Sequence, residues 1–321
     1  MIRPTLVAIG RSSLLLHTIR HLANRGFSIR GIITDEQYPE YGVGVDDFRD
    51  VSRELNASFL TTKSITPHVL STVRDWLSEG GTETAGISAN WRFIVPEAML
   101  NLFSMGVLNV HIGSLPDFKG NATANWSILS GESSTYVNVH RMAVELDAGD
   151  IIARQVVPIN SSTYVGEILA TAESATPALF ELALSRLVAN PAYCEASNGP
   201  EGSRCFPRLP EDGLINWNDS AESILRLVRA TSHPYPGAYT YYNGRHMMIW
   251  KARPALIDQP FLAVAGHVLN ADSASGVLTV ACGDGAVLIE DFEFQDGNVT
   301  DSGPRGLRSR LGGGPAQPNP S

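Results

Sequence analysis

Asn109 and His111 lie two residues apart in a central stretch with an unusual density of polar groups. The pair continues the apolar run Val107-Leu108, and residues two apart on a strand point to the same face. An Asn side chain can donate to an oxygen that develops negative charge, and a His side chain can manage a proton near neutral pH. The pair therefore indicates a site that stabilises an oxyanion and moves a proton.

A second polar stretch, Asp147-Ala148-Gly149-Asp150, follows further along the chain. A carboxylate placed against an imidazole orients the ring and stabilises its protonated form. Asp147 would do this for His111 if the fold brings the two loops together. On spacing alone, a structural explanation stays open beside the catalytic one, because a His at a strand end is more often structural and such a tetrapeptide is more often only a turn.

The surrounding sequence predicts elements that carry these residues to one edge of a sheet. Apolar runs alternate with stretches of helical period in the first half of the chain, which is the pattern of a parallel α/β sheet. Such sheets bind ligands beyond the carboxyl ends of their strands, where Asn109 and His111 stand. The predicted strands are 5–9, 29–34, 58–60, 85–89 and 107–110, and the predicted helices are 13–24, 47–55 and 67–78.

The chain continues with two extended stretches, 135–142 and 151–158, and with a long helix over 165–188. Pro177 is expected to break or kink that helix. The stretch 190–202 is rich in Pro, Gly, Asn and Ser and lacks apolar periodicity, which predicts a linker between domains.

A second domain is expected to follow this linker. A helix over 220–231 precedes a series of strand-like runs, and the Asn243-Gly244 dipeptide between two of them is a strong hairpin signal. The predicted strands, which suit a small antiparallel barrel of the OB type, are 238–242, 246–251, 261–269, 277–281 and 286–294. We therefore divide the chain into a Rossmann-like α/β catalytic domain, a barrel domain and a disordered Gly/Pro/Arg-rich tail, at 1–203, 204–302 and 303–321.

Composition limits the class of protein. Of 321 residues, 43% are hydrophobic and 18% are charged, which is ordinary for a soluble globular protein. The formal net charge of −9 repels a polyanion at long range, so nucleic acid is disfavoured as a partner.

Three cysteines without CxxC spacing predict neither a disulfide framework nor a cysteine zinc site. Neither a signal peptide nor a membrane span is indicated, so we expect a cytoplasmic protein.

The order of motifs through the central stretch resembles the signature of the folate-dependent formyltransferases. Members of this family typically read N-x-H-P-S-L-L-P, then R-G, a tryptophan, G-E and D-x-G-D or D-x-G-Q. This chain follows the series with Asn109-x-His111, Pro116, Lys119-Gly120, Trp126, Gly131-Glu132, His140 and Asp147-x-Gly149-Asp150. The resemblance implies a Rossmann-like catalytic domain and a small β-barrel domain, with N10-formyltetrahydrofolate as co-substrate and no metal.

The resemblance extends to both sides of this signature. Residues 90–96 are similar to the loop with which the family contacts folate, and the second domain is similar to that of methionyl-tRNA, amino-sugar and hydroxyornithine formyltransferases. For Asp150, a structural role as a turn residue that caps the next strand is favoured. The folate-contacting residues that the resemblance implies are Trp91, Arg92, Phe93, Ile94, Val95, Asp147, Gly149 and Asp150.

Several positions depart from the family pattern, and four of them are expected to matter most. The proline after His111 is Ile112, the next serine is Gly113, a later proline is Thr123, and Asn138 replaces the last residue of the usual G-V-T. These changes are expected to reshape the pocket wall around the folate or the acceptor.

The resemblance also implies a mechanism, in which the acceptor amine attacks the formyl carbon directly without a covalent enzyme intermediate. Asn109 and His111 would supply the donors for the tetrahedral oxyanion. Asp147 would hold His111 in the useful tautomer and help to relay a proton from the attacking amine to the departing folate nitrogen.

Three classes of acceptor fit the family: a nucleotide-linked amino sugar, an amino acid or hydroxyornithine in a siderophore pathway, and methionyl-tRNA. The net charge of −9 and the acidic stretch 35–47 disfavour tRNA, so a small-molecule amine is the expected partner, with a slight preference for the sugar. A methionyl-tRNA formyltransferase and a formyltetrahydrofolate hydrolase are the alternatives. A homodimer is an arrangement that the sequence leaves open.

Overall fold

The structure is a computed structural model, which describes residues 3–36, 42–272, 274–295, 303–304 and 308–314. Within these ranges, no helix combines the length and the apolar composition that a membrane span requires.

The chain divides into two compact units. The first unit comprises Met1–Thr123, Ser134–Pro158 and Leu169–Phe206. The second unit comprises Ala124–Ser133, Ile159–Ile168 and Pro207–Ser321. It therefore takes two short segments from a part of the chain that the sequence assigns to the first domain, 1–203.

A seven-stranded mixed sheet forms the centre of the first unit. Its strands are β1 Thr5–Gly10, β2 Ser28–Thr34, β3 Ser58–Thr61, β4 Thr84–Ala89, β5 Val107–Ile112, β7 Ser134–Arg141 and β8 Ile151–Pro158, and a short pair is formed by β6 Lys119–Gly120 and β9 Arg204–Cys205. The sheet order is β3-β2-β1-β4-β5-β7-β8. Neighbours from β3 to β5 are parallel, whereas β7 is antiparallel to both β5 and β8. The predicted parallel α/β pattern is confirmed for the first five strands.

Helices connect these strands, and most of their bounds match the sequence prediction. They are α1 Ser13–Asn24, α2 Val45–Glu54, α3 Pro67–Ser78, α4 Glu97–Leu100, α5 Thr123–Leu129 and α6 Val165–Ala189. The helix α3 begins with Pro67 at a position where the missing N–H costs nothing, and the Thr66 side chain caps it by accepting from the Val69 N–H at 3.4 Å.

The helix α6 runs without a break through Pro177, so the predicted break is wrong. A proline inside a helix costs about 3 kcal/mol. The side chains of Phe180, Ala183 and Leu184, in the two helical turns after Pro177, are fully buried. Their packing offsets the cost of the lost hydrogen bond and keeps the helix continuous.

The two strands β1 and β4 lie next to each other inside the sheet, and every residue of both is buried. Parallel strands that are covered on both faces have continuous apolar sequences, which explains the runs of residues 5–10 and 84–89. The strand β5 neighbours β4, so its polar residues emerge at the carboxyl end of a well-packed sheet.

The second unit is built on a five-stranded antiparallel sheet. It contains the helix α7 Ala221–Thr231 and the strands β10 Ala238–Tyr242, β11 Arg245–Pro254, β12 Val268–Ala271, β13 Leu278–Ala281 and β14 Ala286–Phe294, in the order β10-β11-β14-β13-β12. Asn243 and Gly244 both have positive φ, at 51° and 76°, which is the backbone that a two-residue hairpin turn of type I′ requires. The predicted hairpin is confirmed.

Two expectations for this unit differ from the structure. The predicted strand 261–269 is formed only from Val268 onward, and Leu262 is fully exposed. An apolar run alone does not make a strand when no neighbouring strand pairs with it.

The predicted disordered tail also differs over residues 308–314. Val268 N–H donates to Ser309 O at 3.0 Å, Leu311 N–H to Gly266 O at 2.8 Å and Gly312 N–H to Tyr241 O at 2.8 Å. These bonds join the segment to both edge strands, β10 and β12, and so close the sheet as a barrel requires. Leu311 is buried, and one apolar residue within a Gly/Arg-rich segment is too weak a signal to predict this packing.

Candidate active site

The candidate site begins on β5, which carries Asn109 and His111 beside β7. In the antiparallel register, Asn109 stands opposite His140 and His111 stands opposite Asn138. Asn109 Nδ2 lies 3.2 Å from His140 Nε2. The register therefore adds His140 to the two polar residues of β5, although the sequence analysis predicts no role for His140 beyond its place in the motif.

His111 is buried and contacts the predicted carboxylate. Its Nδ1 lies 3.4 Å from Asp147 Oδ2, and its Nε2 lies 2.8 Å from the carbonyl oxygen of Phe118. Both ring nitrogens thus face acceptors, so only the doubly protonated ring can donate to both of them at once. The structure brings together the two loops whose contact the sequence left conditional.

Asp147 lies between the two imidazole rings. Its Oδ2 accepts the Gly120 N–H at 2.9 Å, and its Oδ1 lies 3.7 Å from His140 Nε2. Its backbone has φ of 47°, in the left-handed region that costs a residue with a side chain about 1 kcal/mol or more. Such a conformation persists only where the surrounding structure holds it, and it is concentrated at functional sites.

His140 is buried, and its surroundings define its tautomer. Its Nδ1 lies 3.1 Å from the Arg141 carbonyl oxygen, which can only accept, so Nδ1 carries the proton and Nε2 accepts from Asn109. Burial lowers the pKa of His140 to about 4, although Asp147 raises it; His111 lowers it further. His140 is therefore neutral near pH 7 and orients the Asn109 amide so that the second N–H of its Nδ2 is left for another acceptor.

Four of the departures from the family pattern, Ile112, Gly113, Thr123 and Asn138, form one connected set. A side chain at Gly113 would place its Cβ 2.6 Å from His111 Nε2 and 2.8 Å from Phe118 O, so the His111–Phe118 contact requires glycine there. Asn138 Nδ2 donates to the Gly113 carbonyl oxygen at 2.7 Å, and Thr123 Oγ1 donates to the carbonyl oxygen of Ile112. The changed residues thus support the changed loop.

The turn after Asp147 depends on close packing. A Cβ at Gly149 would lie 1.7 Å from the Arg141 carbonyl oxygen, so only glycine fits. Asp150 is exposed, but its Oδ1 lies 3.3 Å from the Asn198 N–H and 3.4 Å from Ser197 Oγ. These contacts attach the Asp150 side chain to residues 197 and 198, and the structural role that the sequence favoured for it stays a prediction.

The predicted folate loop, 90–96, starts where β4 ends, and Ser88 of β4 pairs with Asn109. Ile94 is 87% exposed, whereas the side chain of Val95 is buried in the apolar core of the first unit. Ile94 therefore presents apolar surface to a ligand. Val95 can contact a ligand only through its backbone, because its side chain is already packed.

Three other residues of this loop contact one another. The rings of Trp91 and Phe93 meet edge to face with centroids 5.4 Å apart, and the Arg92 guanidinium lies 4.8 Å from the Phe93 ring. Arg92 also forms an ion pair of 2.5 Å with the buried carboxylate of Asp35. These contacts hold Arg92 in a defined place at the carboxyl edge of the sheet, to which Asp35 also belongs, just after β2.

A metal centre is not among the features of this site. Across the described ranges, His, Cys, Asp and Glu residues nowhere form a group of three or more that is placed to hold a metal ion.

Comparison with known proteins identifies the class. Residues 10–183 match the sequence profile of the formyl transferase family, and residues 209–302 match the profile of the formyl transferase C-terminal domain. The first match alone covers more than half of the chain. The protein belongs to the formyl transferase family.

Solved structures with the same fold include proteins crystallised with folates. HypX from Aquifex aeolicus, in complex with tetrahydrofolic acid, is 17% identical with a TM-score of 0.59, and the match covers 92% of this chain but 45% of HypX. The chain thus spans less than half the length of HypX.

Two further structures match over nearly their whole length. An N-formyltransferase from Helicobacter canadensis, in complex with folinic acid and dTDP-3-aminofucose, is 16% identical with a TM-score of 0.63, covering 90% of this chain and 100% of that one. WlaRD, a sugar 3N-formyltransferase crystallised with dTDP and 5-N-formyl-THF, is 15% identical with a TM-score of 0.61, covering 92% and 99%. At these identities the likeness shows a common fold.

Proposed function

We propose that this protein transfers a formyl group from N10-formyltetrahydrofolate to the amine of a small molecule, with Asn109, His111 and Asp147 as its catalytic residues. The observation that carries the proposal is the buried His111–Asp147 contact of 3.4 Å beside Asn109, at the carboxyl end of β5. An amide donor, an imidazole and a carboxylate in one place are the groups that acyl transfer to an amine requires.

The transfer forms one bond and breaks another. The acceptor nitrogen bonds to the formyl carbon, and the bond between that carbon and N10 of the folate breaks in the following step. Between these steps, the formyl oxygen carries negative charge and accepts a hydrogen bond from the second N–H of Asn109 Nδ2. His111 supplies a second donor when its Nε2 turns from the Phe118 carbonyl oxygen to the formyl oxygen. The proton that the attacking amine loses ends on N10, and His111 with Asp147 is placed to carry it.

Exposed apolar side chains support a flat, partly apolar donor such as a folate. Ile94 is 87% exposed in the loop after β4, and Leu146, directly before Asp147, is 48% exposed. We assign Trp91, Arg92, Phe93, Ile94, Asp147, Gly149 and Asp150 to the folate site, with Val95 taking part only through its backbone. Folates in the Aquifex aeolicus and Helicobacter canadensis structures of the same fold support this assignment.

A nucleotide-linked amino sugar is the acceptor class that we propose first. The Helicobacter canadensis enzyme of the same fold was crystallised with dTDP-3-aminofucose, and the net charge of −9 opposes the approach of a tRNA.

Cys194, Cys205 and Cys282 are all free, which suits the reducing cytoplasm in which we expect the reaction to take place.

The proposal is tested by incubating the purified protein with N10-formyltetrahydrofolate and a panel of amines. The panel contains nucleotide-linked amino sugars, hydroxyornithine and methionyl-tRNA, and mass spectrometry detects one added formyl group. His111→Ala is the inactive control, and His68→Ala, which changes an exposed histidine of α3, is the matched active control. Release of tetrahydrofolate and formate without any formylated amine would replace this proposal with a hydrolase.

A further inference from the structure

The stretch that the sequence predicts as a linker is packed against both loops of the candidate active site. We call residues 196–205 the strap. It starts at Ala196, which pairs with Ile151, and it ends in β9, whose residues pair in parallel with Lys119 and Gly120 of β6. The strap therefore runs beside both the turn of Asp147 and the loop that follows His111.

Asn198 joins the strap to the turn of Asp147. Its side chain is buried, and its Nδ2 donates to the carbonyl oxygens of Asp147 at 2.7 Å and Gly149 at 3.0 Å. Its backbone N–H also lies 3.3 Å from Asp150 Oδ1. One residue of the strap thus holds the backbone on both sides of Ala148 and supports the left-handed conformation of Asp147.

Lys119 makes the reverse connection, from the catalytic loop to the strap. The lysine is buried, and its Nζ donates to the carbonyl oxygens of Gly199 and Glu201. An ammonium group is expensive to bury unless acceptors surround it, so the strap is required for Lys119 to lie where it does. The next residue is Gly120, whose N–H donates to Asp147 Oδ2 at 2.9 Å.

Two glycines allow the strap to lie this close. A Cβ at Gly202 would stand 2.1 Å from the Pro116 carbonyl oxygen, and a Cβ at Gly120 would stand 2.6 Å from the Cys205 carbonyl oxygen. The backbone of the strap therefore contacts the backbone of the catalytic loop at both glycines. A side chain at either position would force the strap away from the loop.

We propose that Asn198 and Lys119 are positioning residues for Asp147, an inference that rests on the proposed function of that carboxylate. Asn198 fixes the backbone of Asp147, and Lys119 fixes the loop whose Gly120 N–H holds the carboxylate against His111. Neither side chain touches the reacting atoms. Their loss misdirects Asp147 and slows the transfer step more than it weakens the binding of folate, because the assigned folate residues of loop 90–96 are untouched.

The first experiment compares Asn198→Ala with Asn190→Ala, which removes an exposed asparagine outside the strap. We expect Asn198→Ala to lower kcat by up to about 100-fold, because a misplacement of about 1 Å at a catalytic group can cost that much. The KM for folate is expected to change less than kcat, because the assigned folate contacts of loop 90–96 remain. The pH profile of kcat also changes shape, whereas a smaller fraction of folded enzyme lowers kcat equally at every pH. Asn190→Ala behaves as the wild type.

A second pair of variants covers the case in which Asn198→Ala does not fold. Lys119→Arg keeps donors for both strap carbonyl oxygens and is expected to retain activity, whereas Lys119→Met loses it. Lys63→Met, which changes an exposed lysine, is the control. Wild-type kcat and pH profile in both Asn198→Ala and Lys119→Met would overturn the inference.

Hydrogen exchange at Gly120 separates this inference from the proposed function. Asn198→Ala and Lys119→Met are expected to accelerate exchange of the Gly120 amide, which the wild type protects through Asp147. If the wild type transfers no formyl group but the variants lose this protection, the proposed function fails and the positioning of Asp147 stands. Unchanged protection in both variants would contradict the positioning.

Discussion

His140 Nε2 lies 3.2 Å from Asn109 Nδ2 and can only accept its hydrogen, because His140 Nδ1 donates to the Arg141 carbonyl oxygen at 3.1 Å. A neutral histidine thereby fixes which way the Asn109 amide faces. In the absence of this acceptor the amide can rotate and present its oxygen to the formyl oxygen, which would repel it. The oxyanion donor therefore depends on a residue that need not touch the substrate.

Replacement of His140 tests this dependence directly. His140→Ala removes the acceptor, and we expect kcat to fall about 100-fold, the lower end of what the loss of one oxyanion donor costs, with little change in the affinity for folate. The measurement is steady-state formyl transfer, with His68→Ala as the control. His140→Ala with wild-type kcat would show that Asn109 is oriented by other contacts.

The depressed pKa of His140 predicts how stability depends on pH. The folded-state pKa is about 4, whereas an unperturbed histidine titrates near 6.5. Well above pH 6.5, His140 is neutral in both the folded and the unfolded state, so it does not lower the free energy of unfolding. As the pH falls below 6.5, His140 binds a proton in the unfolded state but stays neutral in the folded state. The free energy of unfolding therefore decreases, by about 2 kcal/mol at pH 5.

Urea unfolding at pH 7.5 and pH 5 measures this loss. His140→Asn lacks the titrating group, and we expect its stability to fall by about 2 kcal/mol less than that of the wild type over this interval. Equal losses in the two proteins would mean that His140 is protonated in the folded state.

Gly113 gives a prediction about the altered catalytic loop. Gly113→Ser restores the residue that the family has at this position, but its Cβ would approach His111 Nε2 to 2.6 Å. We expect the variant to lose more than about tenfold in kcat, because His111 must move. Gly81→Ala is the control, since a Cβ at Gly81 meets no atom within 4 Å. Activity equal to that of the wild type would show that the loop adapts to a side chain.

The neighbours Ile94 and Val95 should respond differently to substitution. Ile94→Ser is expected to weaken the binding of 5-formyltetrahydrofolate about 10-fold or more and to leave stability unchanged, because its exposed side chain gains burial only on binding. Val95→Ala should instead lower the free energy of unfolding by about 2 kcal/mol, since two buried methyl groups are lost. Calorimetric titration and urea unfolding separate the two effects, with exposed Leu262→Ser as the control for both.

The elements of the fold are largely predictable because their signals are local. The bounds of α1, α3, β8, β10 and β14 follow from periodicity, caps and turn residues over short windows. The site residues Asn109 and His111 are equally visible, since they share one strand. Their partners are harder to predict, because the contact of His140 depends on the register between β5 and β7.

The strap is the part of the site whose contacts are hardest to predict from the sequence. Asn198 and Asp147 are separated by 51 positions, and the composition around Asn198 is that of any flexible connection. The buried hydrogen bonds of such a segment are made with a distant part of the chain, which no local pattern reveals. Leu311 is a second example, as its neighbours give no sign that it is buried in the barrel.

The central claim is that Asp147 acts with His111 in formyl transfer. The most direct measurement is the rate of formylation of a nucleotide-linked amino sugar by Asp147→Asn, beside the wild type and Asp75→Asn, an exposed aspartate of α3. We expect Asp147→Asn to be slower by about a hundredfold or more, with a smaller change in folate affinity, since the amide cannot hold a protonated His111 while the contacts of loop 90–96 remain. A rate equal to that of the wild type would contradict the account.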